Sequence, residues 1–64
     1  MRHTEFWIRM RHQLGATYAE SFARDFVIAE LGGRTVCEAL AAGMDTKDVW
    51  RAVCTALQLP PTVR

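Results

Sequence analysis

The histidines and cysteines of this chain, His3, His12, Cys37 and Cys54, are its candidates for metal binding. Zinc sites pair two such ligands within about two to five residues of each other. No two of these four residues have that spacing. No Ser or Cys stands in a recognisable local arrangement with a His and a carboxylate either. The sequence therefore predicts no metal site, no cofactor and no catalytic residue.

Two further patterns resemble catalytic or phosphate-binding elements. Asp45 and Asp48 have the spacing of a general acid/base pair, but both positions are explained by capping at the start of a helix. Gly32 and Gly33 follow a predicted helix, whereas phosphate-binding glycine loops follow a strand. These patterns predict a protein that is not an enzyme.

Binding is the more promising class of function, and four residues carry the prediction. Trp and Arg dominate binding hot spots, so a half-exposed Trp50 beside Lys47 and Arg51 would make a partner-binding anchor. Arg34 lies in a joint between two predicted helices, where its guanidinium could reach the same surface. For two of these residues a structural role is the alternative to binding. Trp50 would then belong to the core, and the Arg34 guanidinium would bind a carboxylate or the C-terminus of a helix.

A helix-turn-helix DNA reader is the alternative function. That motif needs a small residue between the helices, Gly in the turn and an apolar residue in the second helix. Ala39, Gly43 and Val49 have the required spacings. The DNA-facing residues would then be Thr46, Lys47, Trp50 and Arg51. Acidic residues at the start of the second helix and a net charge of +1 oppose phosphate contacts, so a protein partner is favoured.

The first half of the chain predicts two longer helices. Thr4 is a suitable N-cap, and Phe6, Trp7, Met10 and Leu14 then form one apolar stripe that ends at Gly15. The second helix is predicted from Ala16 to Leu31, where Gly32-Gly33 stops it. Its apolar face consists of Tyr18, Ala19, Phe22, Phe26 and Ala29.

The second half predicts a short helix and a fourth helix joined by a tight glycine turn. Thr35 and Glu38 have the spacing of a capping box, which starts a third helix over Val36–Ala42 that buries Val36, Ala39 and Leu40. Gly43 ends this helix and Asp45 caps the fourth. The apolar face of the fourth helix consists of Val49, Trp50, Val53 and Leu57, and Pro60-Pro61 prevents its continuation.

These elements predict an all-α fold, a compact four-helix domain that covers residues 1–64. Ile8 and Ile28 lie off the apolar stripes, so each is either covered by a neighbouring segment or part of an exposed partner surface. No segment approaches the ~18 apolar residues that span a bilayer. We expect a cytoplasmic protein without a membrane partner, with both cysteines reduced and at least partly buried. The sequence is also compatible with a homo-oligomer.

Three strings resemble a known family. They are Met1-Arg2-x-Thr4-x-Phe6-Trp7, then Leu31-Gly32-Gly33-Arg34-Thr35-Val36, then Asp48-Val49-Trp50-Arg51-Ala52-Val53-Cys54. Together they are similar to a small actinobacterial family, the domain of unknown function number three thousand and forty-six, over essentially the whole chain. The resemblance implies a cytosolic, stand-alone helical protein, and it carries no catalytic residue over. Members tend to be encoded near recombination genes, which implies a link to DNA maintenance. Members often have His where this chain has Phe26, and Pro where it has Thr46.

Overall fold

Four α-helices and one 3₁₀ turn form the fold in a computed structural model that describes residues 1–60. The predicted all-α class is confirmed. The positions predicted beyond Pro60, including Pro61 and the end of the domain at residue 64, lie outside the described residues. The elements are α1 (His3–Leu14), α2 (Ala16–Asp25), the 3₁₀ turn (Ala29–Leu31), α3 (Val36–Ala41) and α4 (Thr46–Leu57).

The first helix begins two residues earlier than its sequence predicts. Arg2 is the N-cap residue of α1 and forms no side-chain cap, so the prediction of Thr4 as the cap was wrong. The Arg2 carbonyl already accepts the Phe6 N–H at 2.9 Å, which closes the first turn upstream of Thr4. Gly15, with a φ of 86°, ends α1 as predicted and lets the chain turn directly into α2.

The second helix is six residues shorter than predicted, because α2 ends at Asp25 and not at Leu31. The chain then becomes extended, and the Ile28 N–H donates to the Arg34 carbonyl at 3.0 Å in an isolated antiparallel bridge. This excursion places the Ile28 side chain in the core, where it is 1% exposed. The burial of Ile28, a β-branched residue, therefore overrides the helical pattern that predicted a longer α2. Of the two isoleucines that lie off the apolar stripes, Ile28 is covered and Ile8 remains exposed.

Of the three aromatic residues on the predicted apolar face of α2, one is buried. Phe22 lies in the core, whereas Tyr18 and Phe26 are 56% and 47% exposed. Phe26 still stacks on Phe22, with ring centroids 4.8 Å apart, so it keeps to that face of α2 but lies beyond the part that the core covers. Tyr18, Phe26 and the exposed Ala29 were therefore wrongly assigned to the core-facing stripe.

The helix caps of the second half follow the sequence closely. Thr35 and Glu38 form the predicted capping box, with the Thr35 N–H to Glu38 Oε1 at 2.9 Å and the Glu38 N–H to Thr35 Oγ1 at 3.1 Å. The Asp45 carboxylate accepts the Lys47 N–H at 2.9 Å and so begins α4. Gly43, with a φ of 89°, makes the turn between α3 and α4 that the sequence predicts.

One hydrophobic core joins all five elements. Phe6 and Met10 of α1 are fully buried, and α4 contributes five residues to the same core. Leu40 and Leu57 are only half-buried and pack against its edge. The core consists of Phe6, Met10, Ala19, Phe22, Ala23, Ile28, Leu31, Val36, Ala39, Val49, Trp50, Ala52, Val53 and Cys54.

The two cysteines lie in different surroundings. Cys54 is fully buried on α4, as predicted, but Cys37 is exposed near the start of α3, so its predicted burial was wrong. In α3 the inward positions are taken by Val36 and Ala39, and Cys37 falls between them on the solvent side. No disulfide joins the two cysteines in the described part of the chain.

Replacement of Thr35 by Ala tests the capping box. We expect Thr35→Ala to lower the free energy of unfolding by about 1 kcal/mol, because one orphan N–H of α3 loses its acceptor. Urea titration followed by circular dichroism measures the change. Thr17→Ala, at an exposed position in the first turn of α2, is the matched control and should leave the midpoint nearly unchanged. Equal midpoints for Thr35→Ala and wild type would contradict the assignment.

Native alkylation tests the difference between the thiols. We expect iodoacetamide to modify Cys37 in the folded protein while Cys54 stays protected until urea unfolds the chain, because only Cys37 contacts solvent. Intact mass spectrometry should show one adduct in buffer and two in urea. The Cys37→Ser variant should show no adduct in buffer. Rapid native modification of Cys54 would contradict the burial of α4.

Candidate functional site

A groove between the first turns of α1 and α4 is the candidate binding site. Its volume is about 380 Å³, within the range of about 300–1,000 Å³ typical of ligand pockets. Both helices contribute side chains at i, i+4 spacing, which places each pair on one helix face. The groove is lined by Met1, Glu5, Arg9, Lys47, Trp50 and Arg51.

Contacts at the helix starts hold the two walls of the groove together. The hydroxyl of Thr46, a residue only 4% exposed, donates a hydrogen bond to the Met1 carbonyl and so ties the segment before α1 to the start of α4. The Asp45 cap fixes the first residue of α4 and therefore the direction in which Lys47 and Arg51 project. Local helix starts thus position the lining side chains.

Cationic side chains outnumber carboxylates around the groove. Arg9 pairs with Glu5 at 3.4 Å, and Arg51 pairs with Asp48 at 3.7 Å. All four side chains are at least 40% exposed, and exposed pairs of this kind contribute only about 0–1 kcal/mol each. No carboxylate of residues 1–60 pairs with Lys47. The three cations are therefore accessible to an anionic ligand at small cost.

Trp50 lies in the core and not on the surface as an exposed anchor. It is 4% exposed, and its ring meets the Phe6 ring edge-on at a centroid distance of 6.1 Å. Its Nε1 is buried and has no hydrogen-bond acceptor among residues 1–60. The core alternative left open by the sequence is thus the observed one, and Trp50 contributes a rigid apolar part of the groove wall.

Arg34 does not take part in the groove. Its Nη1 donates to the Leu31 carbonyl at 3.2 Å, at the end of the 3₁₀ turn. The guanidinium therefore satisfies a helix C-terminal carbonyl, which is the second alternative that the sequence left open. Of the four predicted binding residues, the structure brings together Lys47, Trp50 and Arg51 and places Arg34 elsewhere.

The α3–α4 hairpin has some features of a helix-turn-helix. Ala39 and Val49 are fully buried between neighbouring elements, and Gly43 forms the turn. Two of the four residues expected to face DNA, Thr46 and Trp50, are however buried. Only Lys47 and Arg51 of that set reach solvent.

Sequence reasoning missed the residues that α1 contributes to the groove. Glu5 and Arg9 are four residues apart, so they share a helix face and form the ion pair across one turn. The spacing of four residues was sufficient to predict a charged helix face. Nothing in the sequence, however, indicated that this face of α1 would lie beside Lys47 and Arg51, because the contact between α1 and α4 is long-range.

Among residues 1–60, no group of three His, Cys, Asp or Glu side chains is arranged to hold a metal ion. Over the same residues, no helix is both long and apolar enough to cross a membrane.

Comparison with known proteins identifies one family. The family model described as "Protein of unknown function (DUF3046)" matches residues 1–62, which confirms the resemblance carried by the three strings of the sequence. No curated protein and no solved structure matches the chain significantly.

Truncation of Trp50 tests whether it is a core residue. We expect Trp50→Ala to lower the free energy of unfolding by about 3–5 kcal/mol, because it leaves a large cavity beside Phe6. A domain this small should lose most of its helical circular dichroism. Ile8→Ala, at a position that is 58% exposed, should change stability by only about 0.5 kcal/mol. A Trp50→Ala variant with the wild-type urea midpoint would show that the indole lies on the surface.

Proposed function

We propose that this chain, which belongs to the DUF3046 family, is a small non-enzymatic protein-binding module whose α1–α4 groove accepts an acidic segment of a partner protein. The observation that supports this is the convergence of Arg9, Lys47 and Arg51 on one groove of about 380 Å³. The family description assigns no activity, so the proposal rests on the geometry and charge of this site. The cytoplasmic location and the link to DNA maintenance remain predictions.

The electrostatics of the groove favour a carboxylate ligand. The two arginines can each form paired hydrogen bonds to a carboxylate, and Lys47 adds a flexible point charge one turn before Arg51 on α4. An incoming carboxylate would replace Glu5 or Asp48, whose exposed pairs contribute little to stability. Met1, which lines the groove and is 37% exposed, offers apolar surface to the aliphatic part of the bound residue.

The size of the groove limits the strength of the interaction. A volume of about 380 Å³ accommodates a few side chains and not a whole domain face. Interfaces that bury less than about 1,200 Å² are characteristic of weak and transient encounters. We therefore expect association that is weak and strongly reduced by salt, since it depends on exposed charges.

DNA binding is the second candidate function. The buried Ala39 and Val49 and the Gly43 turn give the α3–α4 hairpin the packing that such a motif requires. Asp45 and Asp48 lie at the start of α4, where phosphates would have to approach, and the net charge is only +1. We therefore expect no binding to duplex DNA tighter than the non-specific range of about 10⁻⁴–10⁻⁶ M.

Charge reversal in the groove tests the proposal. We expect Lys47→Glu/Arg51→Glu to weaken binding of a fluorescein-labelled Asp/Glu-rich peptide by about tenfold or more in an anisotropy titration, because two attractive charges become repulsive. The matched control is Arg11→Glu/Arg24→Glu, an equal charge change at exposed positions outside the groove. Equal weakening by both double variants would contradict a specific site.

A pull-down from native lysate separates the two candidate functions. With the wild-type chain as bait, we expect a protein partner that survives nuclease treatment and that Lys47→Glu/Arg51→Glu no longer captures. A partner lost on nuclease treatment, together with a nanomolar, sequence-selective complex with duplex DNA, would replace the protein-binding function by the DNA-binding one.

A further inference from the structure

A second cleft lies at the C-terminal end of α2, on elements that do not contribute to the α1–α4 groove. Its volume is about 180 Å³. That is below the range of about 300 Å³ and above found for small-molecule pockets, and it suits a single side chain. The cleft is lined by Tyr18, Ser21, Phe22, Asp25 and Phe26.

Aromatic rings form most of this cleft. The rings of Phe22 and Phe26 are stacked, with centroids 4.8 Å apart and an interplanar angle of 16°. The Tyr18 ring leans on Phe22 from the other side at 6.2 Å. Phe22 is 2% exposed and so anchors the two outer rings, which are 56% and 47% exposed, to the core. The outer rings therefore lie against a buried ring and still expose about half of their surface to solvent.

The electrostatic field of the cleft favours a cation for three reasons. The face of an aromatic ring attracts positive charge. The Asp25 carboxylate lines the same cleft and pairs with no cationic side chain of residues 1–60. Asp25 is also the last residue of α2, where the unpaired carbonyl groups give the helix end a partial negative charge. These contributions have the same sign and act on the same small volume.

We propose that this cleft binds an arginine side chain in a basic segment of a partner protein. A guanidinium is planar, so it can stack on the exposed face of Phe26 or Tyr18 while its N–H groups donate to Asp25. A lysine ammonium satisfies the carboxylate but cannot stack in this way. The site has the opposite charge preference from the α1–α4 groove, so it recognises a different segment and stands independently of the proposed function.

The test is an NMR titration of the ¹⁵N-labelled full chain with a capped Gly-Arg-Gly peptide. The matched probe is the same peptide with citrulline, which keeps the shape of arginine and removes its charge. We expect the arginine peptide to shift the amide resonances of Tyr18, Asp25 and Phe26, and the citrulline peptide to leave them unchanged. Equal shifts with both peptides would overturn the proposal.

Variants of the cleft separate charge from stacking. We expect Asp25→Asn and Phe26→Leu each to weaken binding of the arginine peptide by about two- to fivefold, since each removes one of the attractions. Glu20→Gln is the control, because it removes the same charge from an exposed position of α2 outside the cleft. Equal weakening by Glu20→Gln would show that net charge alone accounts for the weaker binding, and it would overturn the proposal.

Two further measurements make the outcome unambiguous. In Lys47→Glu/Arg51→Glu the arginine peptide should still shift the amide resonances of Tyr18, Asp25 and Phe26, so failure of the groove and failure of the cleft can be told apart. Sedimentation velocity detects the other occupant, a second copy of this chain. Concentration-dependent self-association that Phe26→Leu abolishes, with no binding of the arginine peptide, would show that a second copy fills the cleft and would overturn the proposal.

Discussion

The contact between Phe6 and Trp50 is the interaction on which both the core and the candidate groove depend. It joins α1 to α4 edge-on at 6.1 Å, between residues that are far apart in the sequence. Both rings are buried in one small core, so the loss of either would weaken the packing of α1 against α4. Together with the hydrogen bond from Thr46 to Met1, this contact holds α1 beside α4 and brings Arg9, Lys47 and Arg51 to one groove.

The near-neutral net charge of +1 conceals a division of charge between two parts of the surface. Cationic side chains surround the α1–α4 groove, whereas the cleft on α2 combines aromatic faces with the Asp25 carboxylate. A module with two such sites could hold an acidic and a basic segment at once. Joining two weak contacts in this way raises the overall affinity without enlarging either site.

Prediction from sequence succeeded where short-range hydrogen bonds decide the structure. The Thr35–Glu38 capping box, the Asp45 cap and the Gly43 turn each involve residues at most a few positions apart, so their spacing is sufficient to predict them. The predicted end of α2 was wrong by six residues, because Ile28 is buried in the core and its N–H donates to the Arg34 carbonyl. The exposure of Tyr18 and Phe26 was not predicted either, because an apolar stripe does not show how far neighbouring elements extend over it.

The sequence by itself determined the all-α class, the starts of α3 and α4 and the cationic residues of α4, because periodicity and capping act within one or two helical turns. Tertiary structure alone decided that Glu5 and Arg9 lie beside Lys47 and Arg51, and it decided in favour of burial for Trp50, where the sequence left two alternatives open. These outcomes depend on which apolar faces pack together. The apolar stripe of a helix predicts which face of the helix is buried. It does not predict which helix packs against that face, because all the stripes pack together in one core.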